Sequence, residues 1–209
     1  MYKKNDRLER NIESDIEKAE FSVIDLETTG LDVKRDDIIS IAIIPMTGLK
    51  IHFKKYYYTL IRPSKFSEKS IKIHGICPGD LNQAPRFEEI YEKIMEMLNN
   101  KIIVGFNVDF DIAFLREKFK KIEKKIDLNY VDIKKIESWI LIRRGTPKPI
   151  IELSDLISRY GIEEGAQHNA LVDAYTIARI FQNQLKTLLT FNIKLNDLLK
   201  LGRKNDFFN

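Results

Sequence analysis

Phe21-Ser-Val-Ile-Asp25-Leu-Glu27-Thr-Thr-Gly30 is an apolar run that ends on two carboxylates and a turn. The run predicts a buried strand from Phe21 to Leu26, and Thr28-Thr29-Gly30 predicts the turn, with Gly30 supplying backbone angles other residues resist. Side chains two apart on a strand project to the same face, so Asp25 and Glu27 can enter one site. Two anions that close repel each other, and each resists ionisation unless a cation lies between them. Hard oxygen donors at this spacing suit Mg²⁺ or Mn²⁺. Taken alone, an Asp-x-Glu at a strand end is more often a solvated pair, so the weight falls on what accompanies it.

Around this run lies a chain of 209 residues, 44% hydrophobic and 32% charged, with a formal net charge of +4. That length supports one substantial α/β domain, and the composition excludes a disordered chain. No apolar run approaches the roughly 20 residues of a membrane helix. The single cysteine, Cys77, excludes an intramolecular disulfide. With no signal-peptide pattern at the start, it implies a cytoplasmic protein. The charge permits a polyanionic partner without requiring one.

Periodicity gives the order of elements. Residues 6–19 read as an amphipathic leader helix, with Leu8, Ile12, Ile16 and Ala19 on one stripe. Ile38 to Ile44 is a second apolar strand. Leu49, Ile51 and Phe53 alternate with Lys50, His52 and Lys54 as in an antiparallel strand with one wet face. Phe87 to Leu98 has helical spacing, Lys101 to Gly105 is a short strand, and a helix follows from about Asn107. Tyr130 to Ile133 is a brief strand before a helix through Ile142. Thr146 to Pro149 is a loop, and Glu152 to Tyr160 is a helix closed by Gly161. A long helix runs from about Ala170 to Leu189, and the tail from Thr190 to Asn209 holds a short helix around Leu195, Leu198 and Leu199. Strands first, then helices alternating with short strands, predict a mixed sheet flanked by helices.

Two further stretches carry acids. In Gly105-Phe-Asn107-Val-Asp109-Phe-Asp111-Ile-Ala-Phe-Leu115, Asn107 is placed to cap the helix, with Asp109 and Asp111 in its first turns. Acids there serve the helix dipole as readily as a site, although Asp111 can reach a cleft above the sheet. In His168-Asn-Ala-Leu-Val-Asp173, the histidine and aspartate are five apart, about 140° around an ideal helix. The spacing fits a loop histidine, a cap at Asn169 and Asp173 in the first turn. A loop histidine can exchange a proton near neutral pH.

In this order and with these flanks, the chain resembles the DEDDh exonucleases, the group of the epsilon proofreading subunit of DNA polymerase III and of ribonuclease T. Asp25 and Glu27 fall on the first motif of that family. Asp111, within Asn107-x-x-Phe110-Asp111-x-x-Phe114-Leu115, falls on the second, and His168 with Asp173 on the third. The tyrosine branch of the family places its aromatic where Asn169 stands. Ile73-His74-Gly75-Ile76 resembles the segment after the family's third strand. Many relatives carry histidine where Phe106 precedes Asn107, which implies altered local packing and not lost activity. The resemblance covers about residues 20–185.

The resemblance implies a ribonuclease-H-like α/β fold, a mixed five-stranded sheet with helices on both sides. Residues 20–189 would form the exonuclease domain, preceded by the 1–19 leader and followed by the 190–209 tail. It implies removal of nucleoside 5′-monophosphates from a 3′ end, in proofreading or repair. Two divalent cations, Mg²⁺ or Mn²⁺, would be held by Asp25, Glu27 and Asp173, with Asp111 on the second and His168 as the proton acceptor. Thr28, Thr29 and Gly30 would wall the terminal nucleotide, the backbone of Thr28 and Thr29 reading the 3′-hydroxyl, with His74 and Asn107 nearby. The partners implied are a single-stranded DNA or RNA 3′ end and a DNA polymerase, with no membrane.

Alternatives remain at this level. An exoribonuclease trimming RNA shares every motif, because a 2′-hydroxyl contact is invisible in sequence. A non-catalytic nucleic-acid-binding or polymerase-associated module could keep the fold. The basic run Arg116 to Lys125 is either a solvated helix face or a guide for a strand, and Arg143, Arg144 and Lys148 form a second basic patch. Phe110 and Phe114 are better read as core than as stacking platforms. Gln184-Leu-Lys-Thr-Leu188-Leu189 faintly suggests a sliding-clamp peptide, but its leucines continue a helical stripe from Phe181 and read as core or interface.

Overall fold

The computed structural model describes residues 15–65, 74–146, 150–163, 165 and 169–203. Among them, β1 (Glu20–Thr28), β2 (Ile38–Thr47), β3 (Lys50–Ile51), β4 (Tyr57–Leu60), β5 (Ile102–Gly105) and β6 (Asn129–Asp132) form one mixed sheet. The order is β3-β2-β1-β5-β6, and β4 also pairs with β2. Because β3 and β4 share one edge of β2, the sheet is five strands wide. β1 and β2 are antiparallel from Glu20↔Thr47 to Thr28↔Ile38, with a register irregularity between Glu27 and Thr28. β1, β5 and β6 are parallel. The helices are α1 (Pro78–Leu81), α2 (Phe87–Leu98), α3 (Asp109–Lys121), α4 (Ile133–Arg143), α5 (Leu153–Tyr160), α6 (Ala170–Thr190) and α7 (Leu195–Arg203).

The period of two along β1 divides the core. Phe21 and Val23 join Ala42 and Ile44 in one cluster with Ile136 and Ile140 of α4, Leu156 of α5, Ile177 and Phe181 of α6 and Leu198 of α7. Ile24 and Leu26 face the other way, with Ile41, Ile43, Ile94 of α2 and Ile112, Leu115 and Phe119 of α3. Asp25 and Glu27 continue the first of these faces, the one covered by α6. Asn169 caps α6, its carboxamide oxygen accepting from the N–H groups of Leu171 (3.1 Å) and Val172 (3.3 Å). Gly161 closes α5 at φ 58° in the left-handed region. A buried polar knot joins three helices. The carboxylate of Glu137 accepts from the Tyr160 hydroxyl (2.6 Å) and the Gln184 amide (3.0 Å), and Arg159 approaches to 3.3 Å. Burial, then the bond to Glu137, pushes the Tyr160 phenol up.

Several expectations change here. The strand foreseen over Leu49 to Phe53 is only Lys50–Ile51. The chain then leaves the sheet in a 3₁₀ turn, Phe53–Lys55, where Phe53 stacks on Tyr56, and returns as β4. Of the leader helix, residues 1–14 lie outside the described residues. The remainder is a 3₁₀ turn, Ile16–Lys18, capped by Asp15, with Ile16 and Ala19 in the core. Asn107 is not the cap of α3. It takes φ 51°, which asparagine tolerates better than most residues, and Val108 holds the cap position. The tail helix α7 packs on β6 and α4. Gln184, Leu185 and Leu188 are buried, so the clamp-like stretch is core.

The basic run is occupied in part. Lys118 forms an ion pair with buried Asp37, Arg116 lies over the Tyr130 ring and Lys124 over Tyr91. Arg143 lies over Trp139, and Lys148 falls outside the described residues. Burial alone would raise the Asp37 pKa. Hydrogen bonds from Lys118 and from the Ser64 hydroxyl and N–H outweigh it and hold the carboxyl below its ordinary range. Asp37 therefore contributes stability above its unfolded-state pKa and loses it as pH falls through the lower folded value. Lys118→Met strands the carboxylate, and a urea titration at neutral pH should show a loss of about 3 kcal/mol. That loss should shrink in acid as Asp37 protonates.

Candidate active site

The acids meet because α6 runs back along β1. Phe181 packs edge-on against Phe21 with ring centroids 5.0 Å apart. From Phe21 to Asp25 the strand advances about 13 Å. From Phe181 back to Asp173 the helix advances about 12 Å. The two carboxylates so arrive at the same height. Asp25, Glu27 and Asp173 each offer an oxygen, and these lie within 4.8 Å of one another. Glu27 is buried, while Asp25 and Asp173 are half-buried.

Asp111 arrives from the opposite layer. The β1–β5 ladder stops at Val23↔Val104, so β1 runs past its neighbour. The first turn of α3 sits beyond that point, and the buried Asp111 carboxylate feels the pull of the Leu26 backbone N–H. Asp109 turns outward to the Tyr130 hydroxyl (2.6 Å) and Lys135 (2.8 Å). The two acids of this helix start thus divide, Asp111 toward the cluster and Asp109 to a structural contact.

The electrostatics are those of buried carboxylates held close together. Burial first, then the charges of Asp111, Asp173 and Glu27, push the Asp25 carboxyl well above its usual range. Burial and Asp173 push Glu27 up to about 7. Asp111 is raised by burial and by the charges of Asp132 and Glu27, against the pull of backbone N–H groups, its own and that of Leu26. Carboxylate oxygens this close together fit a hard divalent cation on Asp25, Glu27 and Asp173.

The remaining candidates divide. His168 lies outside the described residues. The Thr28 hydroxyl donates to the Gly30 carbonyl (2.7 Å). Thr29 is buried, its N–H donated to the Asp37 carbonyl (2.9 Å), and its hydroxyl bonds to Asp36 and to the Asp37 N–H. The Thr29 N–H expected at a 3′-hydroxyl is therefore spent on the loop. Gly30 is needed for space rather than for backbone angle, since a Cβ there would meet the Asp36 carboxylate at 2.5 Å. His74 accepts the Ile76 N–H at Nδ1 (3.0 Å). The Asn107 N–H reaches Asp132 (3.3 Å). Phe106 packs against the α6-side core under Lys134.

Sequence reasoning missed three neighbours. Asp132 caps α4 through the Lys134 N–H (2.9 Å) and adds its charge behind Asp111. An aspartate just before a helical run was the available signal. Tyr58 stands in one row across the sheet with Ala42 and Asp25, and its phenol is raised by burial and by the charge of Glu27. It was hidden because β4 was not recognised. Leu31, just after the acidic strand, is 83% exposed, an apolar side chain held in water beside Gly30.

The sequence model of the exonuclease family, RNase_T, matches residues 22–181. The chain belongs to the DEDDh exonucleases, a 3′–5′ exonuclease family. DNA polymerase III PolC-type of Thermotoga maritima is 33% identical over 193 residues, 90% of this chain and 14% of that protein. DNA polymerase III subunit epsilon of Aquifex aeolicus is 31% identical over 185 residues, 88% of each. The fold matches the nuclease domain of 3′hExo, a DEDDh family member solved bound to rAMP, at a TM-score of 0.68 and 18% identity, over 83% of this chain and 95% of that one. The chain thus spans about one seventh of its PolC-type relatives and most of the epsilon subunit.

Metal binding should be visible without any substrate. The folded, metal-free protein holds the Glu27 proton more tightly than the unfolded chain does. The stability this gives is complete below the unfolded pKa and is lost as pH rises through about 7. Differential scanning fluorimetry should show the metal-free Tm falling between pH 5 and pH 8 and Mn²⁺ restoring it at the alkaline end. Asp25→Asn removes one of the repelling anions, so its metal-free Tm at pH 8 should exceed that of the wild type while the Mn²⁺ response disappears.

Proposed function

We propose that the protein is a metal-dependent 3′–5′ exonuclease acting on single-stranded DNA ends, with residues 20–189 as the catalytic unit. The convergence of Asp25, Glu27 and Asp173 within 4.8 Å, backed by Asp111, carries this reading. Two Mg²⁺ or Mn²⁺ ions would be held there, the first by Asp25, Glu27 and Asp173 and the second by Asp25 with Asp111. When bound, they activate the attacking water and stabilise the departing 3′ oxygen.

The protein's own groups do the rest. His168 takes the proton of the nucleophile, from a position five residues before Asp173 and one before the α6 cap. Thr28 and Gly30 wall the terminal nucleotide, and Thr29, tied to Asp36 and Asp37, keeps that wall rigid. Leu31 offers an apolar surface to the terminal base. His74 and Asn107 bound the nucleotide from the loops before α1 and α3. The cluster's burial strengthens each interaction with a phosphate by removing competing water.

The names of the DNA polymerase III relatives support DNA as substrate and a polymerase as partner, with proofreading as the setting. The ribonucleotide in the 3′hExo neighbour keeps RNA as a second reading. No helix among the described residues is long and apolar enough to cross a membrane. A single cysteine in the sequence, Cys77, supports a cytoplasmic setting in this reading.

Purified protein with Mn²⁺ should shorten a 5′-labelled DNA strand stepwise and release a 3′-terminal label as mononucleotide at once. A matched RNA strand should be degraded more slowly. Asp25→Ala should lower the rate at least a thousandfold with an unchanged circular dichroism spectrum, and His168→Ala should do so by roughly a hundredfold or more. Persistent digestion by Asp25→Ala, or by wild type in excess chelator, would remove the assignment.

A further inference from the structure

Beside the acid cluster, at the outer edge of the sheet, lies a surface that cleavage at the terminal phosphate does not use. Phe53 and Tyr56, from the turn between β3 and β4, stack with centroids 5.3 Å apart. Tyr175 of α6 meets Phe53 edge-on at 5.0 Å. These large rings stay 42%, 44% and 36% exposed, which burial elsewhere in the core does not explain. The Arg179 guanidinium lies 6.0 Å from the Tyr175 ring centre, and Lys54 and Lys55 stand exposed on the turn between the stacked rings.

The two segments that carry the rings are one-sided in charge, and in the pocket that Lys55 and Tyr56 line, Lys93 and Lys101 stand with Glu20 and Glu96. From Leu49 to Tyr58 the chain reads Leu-Lys-Ile-His-Phe-Lys-Lys-Tyr-Tyr-Tyr without a single acid. In α6 the only acid is Asp173, which belongs to the metal-binding cluster. The surface is linked to the site through two elements. Tyr175 follows Asp173 by half a turn of α6 and projects from another side of that helix, onto Phe53, and Tyr56 is two residues from Tyr58, which stands in the row Asp25–Ala42–Tyr58.

We infer that this edge is the track for the single strand upstream of the cleaved end, its bases resting on Tyr175, Phe53 and Tyr56 and its phosphates on Lys54, Lys55 and Arg179. Interleaved aromatic and basic side chains are the chemistry of single-strand binding without sequence preference. Every base has a face to stack, and every linkage carries a charge to neutralise. A protein partner or a second copy of this chain would also cover apolar rings, but neither calls for a cluster of exposed cations beside them. The inference rests on the acid cluster being the cleavage site, because that fixes which end of the strand lies where.

The test separates the track from the cleavage chemistry. Fluorescence anisotropy in Ca²⁺ measures the affinity for single-stranded DNA and RNA of roughly 15 nucleotides, and cleavage of a dinucleotide in Mn²⁺ measures the site alone. The double variant Phe53→Ala with Tyr56→Ala should bind the long strand about tenfold or more weakly and cleave the dinucleotide at the wild-type rate. Tyr175→Ala should do the same by a smaller factor. Lys54→Gln with Lys55→Gln should flatten the salt dependence of long-strand binding, by about 0.7 in log–log slope for each phosphate that is no longer neutralised. Wild-type affinity in both aromatic variants overturns the inference. So does a dimer, seen by sedimentation, that these variants dissociate while strand affinity stays the same. If wild type fails to cleave the dinucleotide, the cleavage assignment falls, while the binding measurement still decides the track.

Discussion

The site depends on one packing contact. Phe181 of α6 locks edge-on against Phe21 of β1, buried on the face that also holds Val23 and Ile177. The contact fixes how far α6 slides along β1. A slide of one helical turn, about 5.4 Å, would carry Asp173 out of reach of Asp25 and Glu27. The chemistry at one end of the sheet is thus set by aromatic packing at the other. Neither ring carries a polar atom, and neither touches the acids.

Bringing the acids together works against the fold. Their burial and mutual repulsion raise Asp25, Glu27 and Asp111 together. Two other buried acids are held by partners instead. Asp37 is held by Lys118 and Ser64, and Glu137 by Tyr160, Gln184 and Arg159. In the acid cluster the neighbouring charges add to burial instead of offsetting it. Carboxyl groups raised together in one place fit a site that takes up positive charge.

The same contrast separates the two basic regions. The run at the end of α3 is conspicuous in sequence, yet only part of it is engaged: Lys118 is spent on Asp37, Arg116 and Lys124 lie on aromatic rings, and Lys120 and Lys125 stand exposed. The shorter Lys54–Lys55 pair is far less conspicuous but stands exposed beside exposed rings. Charge density along the chain is a poor guide to charge available in solution, because ion pairing is decided by neighbours distant in sequence.

Local pattern was enough for much of this protein. The apolar run into Asp25-Leu-Glu27, the cap at Asn169, the left-handed closure at Gly161 and the placing of Asp173 in a first helical turn all follow from periods of 2 and 3.6 and from capping chemistry, and the structure holds each of them. Local pattern misled where a side chain found a better partner off its element. Phe53 left a promising strand to stack on Tyr56, and Asn107 gave up a cap for a left-handed turn tied to Asp132. What the sequence alone determined is which acids stand on which faces of which elements, because side-chain direction is a property of a few neighbouring residues. The tertiary structure alone decided that Asp25, Glu27 and Asp173 share a space of a few ångströms, that Asp132 and Tyr58 stand beside them, and which cations stay exposed. Those are distances between elements, and they are set by how whole side chains pack across the two cores.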